Sequence, residues 1–98
     1  MWPTLRQALE AIDTVKAALT ERHVRRIGVF GSVARGDARP DSDVDVLVDF
    51  TDEGDLFDLV AVKRLLQDAL GCSVDVVPAG GLKPDVRDAV LKDVRYAA

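Results

Sequence analysis

Between Thr4 and Arg22, apolar side chains recur at the helical period, at Leu5, Leu9, Ile12, Val15 and Leu19. This spacing predicts one amphipathic helix laid against a sheet. Thr4 and Gln7 fit a capping box at its start, just after Pro3, and Trp2 either staples that end or lies on a partner surface. The period then changes. Ile27–Phe30 is a continuous apolar run, and Val44–Phe50 alternates, so that Val44, Val46 and Val48 share one face of a strand and Asp43, Asp45 and Asp49 the other. Gly31-Ser32 and the short helix-compatible segment Val33-Ala34-Arg35 lie between the two, punctuated by Gly36 and Pro40.

Downstream, Asp55 is a good N-cap and Asp58 complements the dipole of a helix over Leu56–Leu70. Its predicted inward residues are Leu56, Leu59, Val60, Leu66 and Leu70, and Gly71 ends it in the left-handed conformation. Ser73–Val77 reads as a third strand. Pro84 then opens a last helix with Val86, Val90, Leu91 and Val94 at helical spacing. The pattern is a mixed α+β chain in the order α-β-α-β-α-β-α, with a small sheet of about three strands flanked by helices.

Bulk properties narrow the classes. Residues 1–98 suit one domain with a modest core, at 48% apolar and 31% charged residues. A net charge of −4 argues against a sequence-independent grip on nucleic acid, which relies on surplus lysine and arginine. The N-terminus has no apolar signal region and no run approaches transmembrane length, so the expected location is cytoplasmic, with no membrane contact. Cys72 is the sole cysteine, expected to be a buried small apolar residue rather than a reactive thiol. His23 is the sole histidine and has no neighbouring ligand types, which argues for a solvated or capping role and against a structural metal site.

The chemistry concentrates around the two central strands. Ionised Asp43 and Asp45, roughly 5 Å apart on one strand face, would repel by about 3 kcal/mol at an effective dielectric near 20. A divalent cation removes that conflict. Mg²⁺ suits such a pair because it takes one or two protein carboxylates and completes its octahedron with water and substrate phosphate. Gly31 and Ser32 alone would be an ordinary strand-to-helix turn. With the paired acids downstream they read as a phosphate cradle, with Arg35 adding charge at its edge. Asp75 interrupts an otherwise apolar β-branched run, where an unpaired carboxylate is costly, and is assigned to the same ion site, the alternative being a half-exposed acid on an edge strand. Arg25, Arg26, Lys63 and Arg64 are expected to face water, Asp37 and Asp41 to serve turns, and Asp49 to be solvated.

The run Gly31-Ser32-Val33-Ala34-Arg35-Gly36, followed by Ser42-Asp43-Val44-Asp45, resembles the GS…G…SDxD motif of the DNA polymerase β-type nucleotidyltransferase superfamily. The likeness is specific over residues 28–50 and weaker but continuous to the C-terminus. The whole chain resembles the shortest branch, the minimal nucleotidyltransferases that act as antitoxins beside HEPN-domain toxins. Val46, where the family often has leucine, is a conservative departure.

That resemblance implies the nucleotidyltransferase fold and transfer of AMP from ATP to a tyrosine of a cognate HEPN ribonuclease toxin, in a hetero-oligomeric complex. It implies Asp43, Asp45 and Asp75 as catalytic carboxylates on two Mg²⁺ ions, with Asp75 either a ligand only or also the base, and Gly31, Ser32 and Arg35 on the nucleotide. AMP placed near a ribonuclease site adds bulk and negative charge where an RNA phosphate should bind. Two rivals stand beside this reading: nucleotidylation of a small molecule, which would want extra substrate-binding structure, and steric occlusion without catalysis, which has no use for clustered acids. Tyr96 is open to three roles, as core, partner contact or self-modified side chain.

Overall fold

A computed structural model describes residues 3–97. The role of Trp2 lies outside those residues. The elements are α1 (Leu5–Thr14), α2 (Lys16–Glu21), β1 (Val24–Phe30), α3 (Gly31–Arg35), β2 (Val44–Phe50), α4 (Leu56–Leu70), β3 (Val74–Pro78), a single 3₁₀ turn at Ala79–Gly81, α5 (Pro84–Asp93) and β4 (Arg95–Tyr96). Among the described residues no helix is long and apolar enough to cross a membrane.

The four strands form one mixed sheet in the order β3-β2-β1-β4. β1 is antiparallel to both β2 and β4, and β2 is parallel to β3. One face carries the main core. Val44, Val46 and Val48 of β2, Ile27 and Val29 of β1 and Val74 of β3 meet Ala8 and Ile12 of α1, Leu19 of α2, and Val62 and Leu66 of α4. Each of the three β2 valines is fully buried and contributes about 1.5–3 kcal/mol. On the other face Leu47 packs under Val90 and Val94, with Phe30, Val77, Ala79 and Leu82 around it. Covering is partial there, which leaves the neighbouring acids reachable from solvent.

Several expectations need correction. The first helix is interrupted at Val15, whose φ of −112° and ψ of 16° separate α1 from α2. The Thr14 hydroxyl donates to the Ala11 carbonyl at 2.6 Å, and the Val15 N–H turns to Ile12 at 3.1 Å. Such local bonds offer the backbone an alternative to the regular ladder. The Thr4–Gln7 capping box is formed in both directions.

The sheet has four strands rather than three. β4 is two residues long, too short for alternation to announce it, and it lies close because Gly28 has no side chain: a Cβ there would stand 2.7 Å from Val94 Cγ2. In α4 the inward stripe is Asp58, Val62 and Leu66, while Leu56 and Val60 face outward. The Asp58 carboxylate is held there by His23 Nδ1 at 2.8 Å and by the Asp55 N–H at 3.2 Å. In α5 only Val90 is buried, and Val86 and Leu91 are exposed.

Candidate functional site

β1 ends at Phe30 in extended backbone, and Gly31 then takes a φ of +72°. That left-handed value suits glycine alone without strain. α3 follows with Gly31 and Ser32 in its first turn, both half-buried, and Gly36 ends it in the left-handed region. Ser42 closes the loop back to β2: its hydroxyl accepts from the Arg39 N–H at 3.1 Å, and its own N–H donates to the Arg39 carbonyl at 2.9 Å. Asp43 therefore enters just ahead of β2, exposed, with Asp45 half-buried on the strand itself.

Register brings the acids together. Asp45 pairs with Phe30 across β1 and with Asp75 across the parallel neighbour β3, so the two carboxylates project from adjacent strands onto one face. Asp75 is exposed, which corrects the expectation of a buried acid in an apolar run. Its position opposite Asp45, rather than any burial cost, makes it a candidate for the site. The Asp45 carboxyl is held above the usual carboxylate range, first by its partial burial, then by the negative charges of Asp75 and Asp43, against an opposing pull from Arg35. This face therefore favours an added positive charge at Asp45.

Gly31 sits against that same carboxylate. A Cβ on it would overlap Asp45 Oδ2 and stand 3.1 Å from Cγ. The glycine thus lets α3 begin directly beside the acid, and a phosphate approaching the α3 backbone would lie next to Asp45.

The donor set of Asp43, Asp45 and Asp75 is all oxygen, the chemistry of Mg²⁺ rather than of a softer metal. Among the described residues no three Asp, Glu, His or Cys side chains form a ready-made metal cage.

Arg35, expected to add charge at the edge of the turn, is also bonded within the chain. Its guanidinium donates to Asp37 at 3.2 Å and to Asp93, at the end of α5, at 2.9 Å. It remains half exposed and within electrostatic reach of Asp45. Asp93 is the residue that sequence reasoning missed, since nothing local marks a helix-terminal aspartate as the partner of a distant arginine. Asp37, expected to serve a turn, also holds Arg35. Asp49, expected to be solvated, pairs with Arg25 at 3.3 Å, and Arg26 lies over the Tyr96 ring at 3.7 Å. Tyr96 of β4 pairs with Gly28 of β1 and is 37% exposed, so it is not a core residue. Cys72 is half-buried against the main core, its thiol pushed up by burial and then by Asp43.

Comparison with known proteins agrees with this geometry. The profile described as the nucleotidyltransferase domain matches residues 12–97. The protein adenylyltransferase MntA of Thermococcus cleftensis is 43% identical over 93 residues, spanning 90% of this chain and 94% of its own length. A solved structure described as a minimal nucleotidyltransferase superposes with a TM-score of 0.83 at 38% identity, covering 95% of each chain. The complex of a tri-AMPylated Shewanella oneidensis HEPN toxin with its MNT antitoxin also contains this fold, with a TM-score of 0.66 at 18% identity over 93% of this chain and 71% of that one. By the extent of the profile match and the identity to these relatives, the chain belongs to the nucleotidyltransferase domain family.

Proposed function

We propose that this chain is a protein adenylyltransferase antitoxin that transfers AMP from ATP to a tyrosine hydroxyl of a cognate HEPN-domain toxin and so neutralises it. The observation that carries the reading is the side-by-side register of Asp45 and Asp75, with Asp43 at the strand entrance and the Gly31 turn against Asp45. The relative that shares 43% of its residues with this chain is named for protein adenylylation, which supports a protein acceptor. A related toxin–antitoxin structure contains the ATP analogue AMP-PNP, which supports ATP as donor.

In the proposed reaction, the Gly31-Ser32 turn steadies the β- and γ-phosphates beside Asp45, with Arg35 contributing charge from the edge. Asp43 and Asp45 would hold Mg²⁺ against the triphosphate, and Asp75 would join Asp45 in holding a second ion. Bound there, the two ions would neutralise phosphate charge and lower the pKa of the attacking hydroxyl. That hydroxyl forms a new P–O bond to the α-phosphorus, the bond to the β-phosphate oxygen breaks, and pyrophosphate leaves in line. Asp75, exposed beside Asp45, would serve as a ligand only or also receive the hydroxyl proton where it lies within hydrogen-bond reach.

The test is intact-mass analysis of the co-expressed partner, with ATP and Mg²⁺ added. An AMP-sized gain on the partner, mapped to tyrosine and absent with Asp43→Asn, is the expected result. A gain on a small molecule instead, or neutralisation with no gain on the partner, would overturn it in favour of small-molecule transfer or steric occlusion respectively.

A further inference from the structure

The transfer proposed above has a direction across the sheet. Gly31 follows Phe30 at the end of β1, and Phe30 pairs with Asp45, so the phosphate turn reaches Asp45 from the β1 side. Asp75 flanks Asp45 from the β3 side. With the leaving pyrophosphate held by the Gly31-Ser32 turn, an in-line displacement brings the attacking hydroxyl from the opposite side of Asp45, the side of β3. Among the described residues the sheet ends there, because β3 is an edge strand; the other edge, β4, lies beyond β1 on the pyrophosphate side.

The outer edge of β3 has backbone groups to offer. The Val44 N–H donates to the Ser73 carbonyl at 3.0 Å. Successive residues of a strand turn their backbone groups to alternate sides, so Asp75 and Val77 also bond toward β2, and Val74 and Val76 point outward. Among the described residues nothing bonds to Val74 or Val76 on that side. Val74 is buried and Val76 half-buried, which makes Val76 the reachable pairing position. A covering loop is one of the usual ways of blocking an edge, and here the loop leaves it clear. Ala79 packs back toward Leu47 on β2, and a Cβ on Gly80 or Gly81 would meet nothing within 4 Å.

We propose that the outer edge of β3 is where the acceptor protein docks, adding an extended basic segment as a further strand paired at Val76. In either strand direction the side chain opposite Asp75 projects onto the catalytic face, its Cβ about 5 Å from that of Asp75. A tyrosine at that position stands beside Asp75 and Asp45, while its two neighbours in the segment turn to the other face. Asp43 and Asp75 are both exposed at this edge, Asp43 one residue before the Val44–Val74 pair, so lysine or arginine in the segment complements the local charge. Main-chain bonds supply the affinity in such an arrangement, and register selects the side chain that is modified. This docking rests on the reading of the acceptor as a protein tyrosine.

Amide hydrogen exchange of the full chain, alone and with its co-expressed partner, reads the edge directly. In the free chain the Val76 amide should exchange at least about 10-fold faster than that of Val77, and in the complex it should slow by at least about 10-fold. Val76→Pro removes the outward N–H and no bond of the ladder to β2, the position in which an edge strand tolerates proline. Its far-UV circular dichroism should match the wild type. Its Kd for ATP should stay within about 2-fold, while kcat/KM for AMP transfer to the partner falls at least about 10-fold, as loss of one hydrogen bond with the acceptor carbonyl left unpaired does. A Val76 amide that exchanges equally in both states, or a Val76→Pro chain that transfers AMP as the wild type does, would overturn the proposal. A partner that shields Val76 yet gains no AMP would sustain the docking and overturn the reaction instead. If Val76→Pro misfolds, the exchange measured on the wild type decides alone.

Discussion

Gly31 lies so close beneath Asp45 that the glycine's missing side chain is the space the carboxylate occupies. The turn before α3 and the acid on β2 are therefore one feature. Gly31→Ala meets two penalties: a left-handed φ of +72°, which costs a non-glycine residue about 1–2 kcal/mol, and displacement of Asp45. AMP transfer should fall at least about 100-fold, since shifts near 1 Å at a reacting centre cost that much. Urea denaturation should show a loss of at least about 1 kcal/mol. Full activity in this variant would mean that the approach of Gly31 to Asp45 is incidental.

Asp45 is kept ionised at the cost of its partial burial, with repulsion from Asp75 and Asp43 adding to it. Removing its charge should therefore abolish the reaction and yet relieve the metal-free fold. Asp45→Asn is expected to lower transfer by a factor on the order of 10³ or more, while its melting temperature without Mg²⁺ equals or exceeds that of the wild type. Added Mg²⁺ with ATP should raise the melting temperature of the wild type by linkage and leave that of Asp45→Asn nearly unchanged. A variant that is less stable without metal but still responds fully to Mg²⁺ and ATP would show that the acid is structural.

Much of this is legible in the chain because it rests on local rules. The alternation of Val44 to Val48 puts Asp45 on the face opposite the valines, and the glycine-serine turn follows an apolar run. Asp55 is readable as an N-cap, and the structure adds a capping box with Asp58 formed in both directions. Features made by distant partners are not legible in this way. The inward rotation of α4 depends on Asp58 meeting His23, Arg35 is anchored by Asp93, and β4 exists because Gly28 leaves it room. Asp75 was readable as a site residue for a physical reason that did not hold. It is exposed, and only the register of β3 against β2 sets it beside Asp45.

Arg35 joins the site to the end of α5 through Asp93 at 2.9 Å, so its charge is both held and shared. If the guanidinium meets the triphosphate, Arg35→Ala should raise KM for ATP by about 10-fold or more, the worth of one charge-assisted hydrogen bond. Asp93→Asn leaves the arginine in place and removes only an exposed pair worth about 0–1 kcal/mol, so KM should change by less than about 5-fold. Equal effects from the two variants would make Arg35 a positioning residue with no contact to nucleotide.

At the opposite end of the sheet, His23 stands at a φ of +67° with Nδ1 2.8 Å from Asp58 Oδ2 and Nε2 3.5 Å from Glu53. Asp58 is buried and also accepts from the Asp55 N–H at 3.2 Å, so one carboxylate caps α4 and receives the imidazole. The hydrogen bond to Asp58 raises the His23 pKa above 6.5 in spite of some desolvation, and the same bond lowers the Asp58 pKa below 3.8. For the raised base, the stabilisation is complete below the unfolded value of 6.5 and is lost as pH rises through the higher folded value. For the lowered acid, it is complete above the unfolded value of 3.8 and is lost as pH falls through the lower folded value. The pair therefore stabilises the fold most between these two unfolded values. His23→Asn keeps a residue tolerant of the left-handed backbone but removes the imidazolium. Thermal melts should place it furthest below the wild type near pH 5.5, with the gap narrowing toward pH 8.5. A gap constant with pH, or one that widens in alkali, would show that His23 serves only the turn into β1 and that its bond to Asp58 carries no charge.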